Sequence, residues 1–129
     1  MSELKRILYA EDEPDIRAVA KIALEAVGGF ELKVCHNGEE AVANAVSYAP
    51  DLMLFDVMMP GMDGPAALKA IKELPEMANI PVVFMTAKVQ PNEVEEYKAL
   101  GAIDVIAKPF DPMTLAEQLN AIWQQHYNS

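Results

Sequence analysis

Cysteine and basic residues are scarce in this chain, and each shortage excludes a class of structure or function. Cys35 is the single cysteine among 129 residues, so no internal disulfide can form and a cytoplasmic setting is expected. Lysine and arginine number 10 against 20 aspartates and glutamates, which leaves a net charge of −10. Direct binding of nucleic acid needs clustered basic residues to neutralise phosphates, so that function is not expected.

Long apolar runs and targeting signals are also missing. No window approaches the roughly 18 consecutive apolar residues of a membrane span, so we expect no membrane partner. Residues 1–6 lead into a short apolar run and then into acids, which is not the pattern of a signal peptide. Hydrophobic residues make up 52% of the chain, enough for one core. Residues 1–129 are therefore expected to form a single domain with no linker and no output domain.

Short apolar runs alternate with amphipathic stretches along the chain. The predicted strands cover residues 7–10, 30–35, 52–55, 82–85 and 103–107. The predicted helices cover residues 14–27, 39–48, 65 to about 74, 91–100, and 112 to about 126. Strands that are apolar along their whole length are buried on both faces, which indicates a parallel sheet with helices on each side.

Polar side chains of unusual kinds follow four of the five predicted strands. Glu11 and Asp12 come after the first strand, Asp56 after the third, Thr86 after the fourth and Lys108 after the fifth. In a parallel α/β sheet, ligands bind beyond the carboxyl ends of the strands. We therefore expect these side chains to meet at one edge of the sheet and to form the functional site.

The charges at this edge predict a cation. Glu11, Asp12 and Asp56 contribute −3 and Lys108 contributes +1, which leaves −2. Close carboxylates repel one another, so without help one of them should take up a proton. Mg²⁺ prefers oxygen ligands and is usually held by one or two carboxylates together with phosphate. We expect Mg²⁺ or Mn²⁺, with Asp12 and Asp56 as direct ligands and Glu11 binding directly or through water.

The same residues suit phosphoryl chemistry. A carboxylate can act as a covalent nucleophile towards phosphorus, and phosphoryl transfer depends mainly on alignment and charge stabilisation. Asp56 is the predicted acceptor, with Lys108 and Thr86 contacting the phosphoryl oxygens beside the cation. An acyl phosphate on Asp56 would draw Thr86 and Lys108 inward, which would make the site a switch.

These residues resemble the receiver domain of two-component response regulators. The similarity rests on Glu11 and Asp12, on the segment 51–64 around Asp56, on residues 85–87, and on residues 108–110. The similarity covers nearly the whole chain, and the motifs follow one another in the order typical of the family. The chain resembles the single-domain type of receiver, such as the chemotaxis response regulator. The resemblance implies a flavodoxin-like, doubly wound (βα)5 fold with a five-stranded parallel sheet of order 2-1-3-4-5.

The resemblance also implies partners and further site residues. Asp56 would accept a phosphoryl group from a histidine kinase or a histidine phosphotransfer protein, and the backbone carbonyl of Met58 would join Asp12 and Asp56 as a metal ligand. The peptide bond between Lys108 and Pro109 would be cis. The signal would pass by contact to an unknown downstream protein, from a monomer or weak homodimer. The chain would catalyse only its own phosphorylation and dephosphorylation and would not otherwise be an enzyme.

The chain departs from the family pattern in ways that matter for signalling. The family usually has aspartate where this chain has Glu11, and the longer side chain should still support a metal through a shifted water. The position three before Lys108 is usually Tyr or Phe and here is Val105, so we expect the signal to leave through a different surface or with smaller movement. Met58 and Lys88 lie where the family tunes dephosphorylation, and the apolar Met58 predicts a long-lived phosphoryl group.

Two other functions stay open. An aspartate-nucleophile phosphohydrolase of the haloacid dehalogenase type uses similar residues, although it needs an aspartate two residues after the nucleophile, where this chain has Met58. A phosphorylation-independent interaction module of the same fold is motivated by Val105. Asp56 as a simple turn residue, Thr86 as a helix cap and Lys108 as a surface lysine are the structural alternatives, and the convergence of the strand ends outweighs them.

Overall fold

The computed structural model describes residues 3–128, and Met1, Ser2 and Ser129 of the predicted domain lie outside the described residues. Strands and helices alternate in the order β1 (Arg6–Ala10), α1 (Pro14–Lys21), β2 (Glu31–Cys35), α2 (Gly38–Tyr48), β3 (Leu52–Asp56), α3 (Gly64–Lys72), β4 (Val82–Thr86), α4 (Pro91–Leu100), β5 (Asp104–Ala107) and α5 (Leu115–Asn128). In the part described, no helix has the length and apolar character of a membrane span. The cytoplasmic setting stays a prediction.

The five strands form one parallel sheet of order β2-β1-β3-β4-β5, which confirms the fold class. Every residue of β3 and of β4 is buried, which includes the predicted apolar runs 52–55 and 82–85 and the polar residues Asp56 and Thr86 that end the two strands. The strand order reverses between β1 and β3, because β2 lies on one side of β1 whereas β3, β4 and β5 follow on the other side. A ligand crevice is expected above this reversal, at the carboxyl ends of the strands.

Two hydrophobic cores lie on the opposite faces of the sheet because side chains alternate along each strand. The first core joins the sheet to α1 and α5 and includes Tyr9 of β1 and Trp123 of α5. The second joins the sheet to α2, α3 and α4 and includes Phe55 of β3 and Leu68 of α3. Burial of both faces holds the strand ends, and so the side chains that follow them, in fixed positions.

The first helix changes its hydrogen bonding part-way along. The sequence predicts one helix over residues 14–27, and α1 continues as a π-helical stretch over Ile22–Val27. The N–H of Gly28 donates to the carbonyl of Ala23, five residues earlier, at 3.1 Å. Apolar residues spaced three and four apart indicate a helical face without distinguishing the two hydrogen-bonding patterns, so the sequence did not reveal this change.

Several helix ends differ from their predicted positions by one to three residues. Helix α3 ends at Lys72 rather than near residue 74. Helix α5 begins at Leu115 rather than at residue 112, because Asp111 first closes a turn. The side-chain oxygen of Asp111 accepts from the N–H of Met113 at 2.9 Å, and its carbonyl accepts from Thr114 and Leu115. An aspartate that bonds to nearby backbone competes with helical pairing in this way.

Candidate functional site

Three polar or charged residues are buried in the described part of the chain, and all three lie at one edge of the sheet. Glu11 is 0% exposed, Asp56 is 3% exposed and Thr86 is 3% exposed. They follow or end β1, β3 and β4. Charged side chains are rarely buried unless they are paired or coordinate a metal. The three buried polar residues are thus all residues that the sequence predicts to lie at the functional site.

Lys108 joins two of these groups. Its ammonium Nζ lies 3.0 Å from Oε1 of Glu11 and 3.2 Å from Oδ1 of Asp56. Its backbone N–H donates to the carbonyl of Thr86 at 2.9 Å, which ties the end of β5 to the end of β4. The Lys108–Pro109 peptide bond is cis. One cation thus bridges the carboxylates that end two neighbouring strands.

The three acids form a compact set of oxygen donors. Carboxylate oxygens of Glu11, Asp12 and Asp56 all lie within 4.8 Å of one another. Glu11 and Asp56 are buried, whereas Asp12 is half-buried. Hard oxygen donors that converge on one point from two strand ends suit a hard divalent cation. The residues present therefore fit the Mg²⁺ or Mn²⁺ that the sequence predicts.

Burial and mutual repulsion shift the pKa values of the charged groups at this site. Burial raises the pKa of Glu11 to about 7, with the Asp56 charge adding to the rise and Lys108 opposing it. Burial also raises the pKa of Asp56, again against Lys108. Burial acts to lower the pKa of Lys108, but the hydrogen bond that Lys108 donates to Glu11 and the charge of Asp56 raise it overall. One carboxyl is therefore partly protonated near neutral pH, as expected of close carboxylates.

The start of α3 packs tightly behind Asp56. A Cβ atom at Gly64 would lie 2.7 Å from the carbonyl oxygen of Asp56 and 3.0 Å from Cα of Val57, so only glycine fits. The N–H of Gly64 donates to the carbonyl of Val57 at 3.0 Å. Asp63 caps the helix by accepting from the N–H of Ala66 at 2.9 Å. These contacts hold the loop between β3 and α3 against the backbone of Asp56.

The other predicted residues surround this centre. The Thr86 hydroxyl accepts from the backbone N–H of Lys88 at 3.1 Å, which leaves its own hydrogen available for donation. The side chains of Met58 and Lys88 are exposed, with Met58 69% exposed, and each follows a buried site residue, Asp56 or Thr86, by two positions. Val105 is half-buried, pairs with Phe84 across the sheet and packs against the second core. The role of the Met58 carbonyl stays a prediction.

Two residues at the site were not predicted from the sequence. The Arg17 guanidinium donates to the backbone carbonyl of Glu11 at 3.0 Å, which anchors α1 to the end of β1. The phenol of Tyr9 lies buried beneath the site, where burial and the charges of Glu11 and Asp56 raise its pKa. The sequence did contain a signal for Tyr9, because its hydroxyl lies in a strand predicted to be buried, two residues before the acid Glu11.

Comparisons with known proteins agree with this geometry. The family model described as the response regulator receiver domain matches residues 7–120. The phosphate regulon transcriptional regulatory protein PhoB of Pseudomonas aeruginosa is 36% identical over 118 residues, which are 92% of this chain and 51% of PhoB. The chain thus spans about half the length of PhoB.

Similarity to smaller proteins extends over nearly their whole length. Protein PilH of Pseudomonas aeruginosa is 35% identical over 119 residues, which are 92% of this chain and 98% of PilH. Among solved structures, the chemotaxis response regulator CheY4 of Vibrio cholerae is similar with a TM-score of 0.85 at 30% identity. That match covers 92% of this chain and 98% of CheY4.

Proposed function

The chain belongs to the response regulator receiver domains, and on that premise we propose that it is a phosphorylation-dependent switch whose phosphoryl acceptor is Asp56. One observation carries the proposal. The Asp56 carboxylate is buried, lies 3.2 Å from the ammonium of Lys108 and shares an acidic cluster with Glu11 and Asp12. Members of this family act in signalling, and self-directed phosphoryl chemistry is the only catalysis we propose for this chain.

The transfer would take place at the Asp56 carboxylate. One of its oxygens attacks the phosphorus of a phosphohistidine, an O–P bond forms, and the P–N bond breaks. The freed imidazole nitrogen keeps the electron pair of that bond and is then protonated from solvent. A divalent cation held by Glu11, Asp12, Asp56 and the Met58 carbonyl would supply charge neutralisation.

The surrounding residues have separate tasks in this proposal. The ammonium of Lys108 already contacts Asp56, so it is placed to follow the new negative charge onto a phosphoryl oxygen. The hydroxyl of Thr86 would donate its free hydrogen to a second phosphoryl oxygen while it keeps the N–H of Lys88 as its own donor. The side chains of Lys108 and Thr86 would both move towards Asp56, and a partner protein would detect this local change.

The phosphoryl donor would dock beside the site. An apolar cavity of about 250 Å³ lies next to it and is lined by Asp15, Ile16, Val19, Lys108, Pro109 and Phe110. A histidine kinase or a histidine phosphotransfer protein that covers this cavity would bring its histidine close to Asp56. We propose that the signal then leaves by protein contact from a single-domain receiver, in a monomer or weak homodimer. The match to nearly all of PilH supports that size.

A phosphorylation-independent interaction module is the second candidate, and Val105 is the observation that favours it. Val105 is half-buried against the second core and carries no aromatic ring that could move towards Thr86. Phosphohydrolysis is less well supported, because the exposed, apolar Met58 stands where such an enzyme needs a carboxylic acid. If Mg²⁺ with acetyl phosphate or beryllofluoride leaves the amide spectrum unchanged, the interaction module would be the better account.

Phosphotransfer profiling against candidate kinases is the decisive experiment. The wild-type chain should take up radiolabelled phosphate from a cognate kinase, and Asp56→Asn should not, since the amide keeps the volume but loses the nucleophile. Asp63→Asn is the matched control, because this exposed aspartate only caps α3 and asparagine caps helices equally well. Labelling that persists in Asp56→Asn would refute Asp56 as the acceptor.

A further inference from the structure

The Tyr9 side chain has a buried polar atom that the fold does not fully satisfy. Tyr9 is 0% exposed, and its phenol oxygen makes no hydrogen bond of ordinary geometry. Phenylalanine would fill the same space in the first core without isolating a donor. A buried hydroxyl of this kind is unfavourable in the state described, which points to a second state in which it is satisfied.

Glu11 is the charged group that acts most strongly on the Tyr9 phenol, and its carboxylate can accept a hydrogen bond from that phenol. Tyr9 and Glu11 lie two residues apart at the end of β1, so their side chains leave the same face of the sheet. Burial raises the pKa of the phenol most, the charges of Glu11 and Asp56 and a hydrogen-bond interaction with Glu11 add to the rise, and Arg17 opposes it. The phenol therefore lies close to the Glu11 carboxylate, although without the geometry of a full hydrogen bond. Glu11 directly follows β1, Asp56 ends β3 and Arg17 lies in α1, so the groups that act on the phenol come from three separate parts of the chain.

Glu11 would lose a donor when the switch acts. Its Oε1 accepts from Lys108 at 3.0 Å, and its Oε2 accepts from the N–H of Glu13 at 3.3 Å. If Lys108 turns to a phosphoryl group on Asp56, the fully buried Oε1 is left without a donor. A buried acceptor without a partner is unfavourable for the same reason as the isolated phenol of Tyr9.

We propose that Tyr9 is a positioning residue whose phenol becomes the hydrogen-bond donor to Glu11 when Lys108 moves to the phosphoryl group. The inference rests on the proposed function, because only phosphorylation of Asp56 gives Lys108 a reason to move. One exchange then satisfies both buried groups and keeps Glu11 oriented towards the cation. The exchange also gives the Glu11 side chain a hydrogen-bond donor from the adjoining strand β1.

Spectroscopy of the wild-type chain tests the exchange without any variant. Beryllofluoride with Mg²⁺ serves as the phosphoryl probe, and the four tyrosines are labelled with ¹³C at Cζ, whose NMR frequency reports hydrogen bonding of the phenol. The Tyr9 signal should shift on addition of both components. A Tyr9 signal that stays in place while the backbone amides around Asp56 respond would overturn the positioning role.

Two variants test the same exchange by affinity. Tyr9→Phe should weaken beryllofluoride binding about tenfold, as expected for loss of a hydrogen bond to a charged group. Tyr48→Phe is the matched control, since the Tyr48 phenol oxygen is also buried without a hydrogen bond of ordinary geometry. The Tyr48 ring lies far from the site, with the guanidinium of Arg6 at the opposite end of β1 4.3 Å from its centre. Equal losses in the two variants would overturn the proposal.

A third variant examines the acceptor. In a Glu11→Asp background the shortened carboxylate should no longer reach the phenol, so adding Tyr9→Phe should have no further effect on affinity. A full tenfold loss in that background would overturn Glu11 as the acceptor. A wild-type chain that binds no beryllofluoride at all would refute the proposed function and this inference together, whereas normal binding by Tyr9→Phe refutes the inference alone.

Discussion

The buried carboxyl of Glu11 should make the stability of the cation-free protein fall as pH rises. Burial, together with the charge of Asp56, raises its pKa from the ordinary value of 4.5 to about 7. The folded chain therefore holds a proton that the unfolded chain has released. The resulting stability is fully present below about pH 4.5 and is lost as pH rises through about 7.

The size of the effect follows from the shift. Each unit of pKa difference corresponds to about 1.4 kcal/mol, so the free energy of unfolding should fall by about 2 to 3 kcal/mol between pH 5 and pH 8. Asp56 acts in the same direction, because burial raises its pKa too. Lys108 keeps its charge across this range, since its contacts with Glu11 and Asp56 raise its pKa above the ordinary value for lysine.

Urea unfolding of Glu11→Gln against the wild type would measure this term. The single tryptophan, Trp123, is 5% exposed in the first core and gives the fluorescence signal, and a chelator keeps divalent cations out. The stability of the variant relative to the wild type should increase by about 2 to 3 kcal/mol from pH 5 to pH 8. Glu13→Gln should follow the wild-type curve, because the Glu13 side chain is exposed.

Parallel curves for Glu11→Gln and the wild type would refute the reasoning, since they would mean that Glu11 ionises alike in both states. Saturating Mg²⁺ should flatten the wild-type curve above pH 7, because a cation stabilises the folded state with Glu11 ionised. The same salt should have a much smaller effect on Glu11→Gln.

Four shorter predictions concern other parts of the molecule. Gly64→Ala should lower the free energy of unfolding by about 1 to 3 kcal/mol in urea, because its Cβ would lie 2.7 Å from the carbonyl oxygen of Asp56; an unchanged midpoint would contradict the close approach. Thr86→Ala should weaken beryllofluoride binding about tenfold while Thr86→Ser keeps it, and equal losses would argue against the hydroxyl as a donor. Cys35 should resist a thiol reagent at pH 8 in the native protein, since burial raises its pKa to about 11; a rate equal to that of a free thiol would exclude this. The phosphoryl group should outlast removal of its donor by minutes, and decay within seconds would contradict the role given to the exposed Met58 side chain.

Much of the fold was readable from local pattern. The apolar runs of β3 and β4 predict strands buried on both faces, and the structure confirms every residue of both as buried. The alternation of five strands with five helices follows from the same pattern. The strand order did not follow from periodicity and came from the family resemblance, because an apolar strand carries no mark of which neighbour it pairs with.

Local hydrogen bonding set the boundaries that the sequence predicted less well. The start of α5 depends on the side chain of Asp111, which accepts from the N–H of Met113 and delays the helix. The π-helical stretch after α1 depends on which carbonyl the N–H of Gly28 reaches. Both choices turn on differences of a single hydrogen bond, which hydrophobic spacing does not encode.

The sequence by itself determined which chemical groups end the strands: Glu11, Asp12, Asp56, Thr86 and Lys108. Because parallel strands end at a common edge, it also determined that these groups would converge. Only the tertiary structure decided that Lys108, 97 residues from Glu11, bridges it to Asp56, and that the phenol of Tyr9 is buried without a hydrogen bond of ordinary geometry. The physical reason is desolvation: removal of water by distant segments of the chain sets the pKa values and the pairing of these groups, and no stretch of sequence contains that burial.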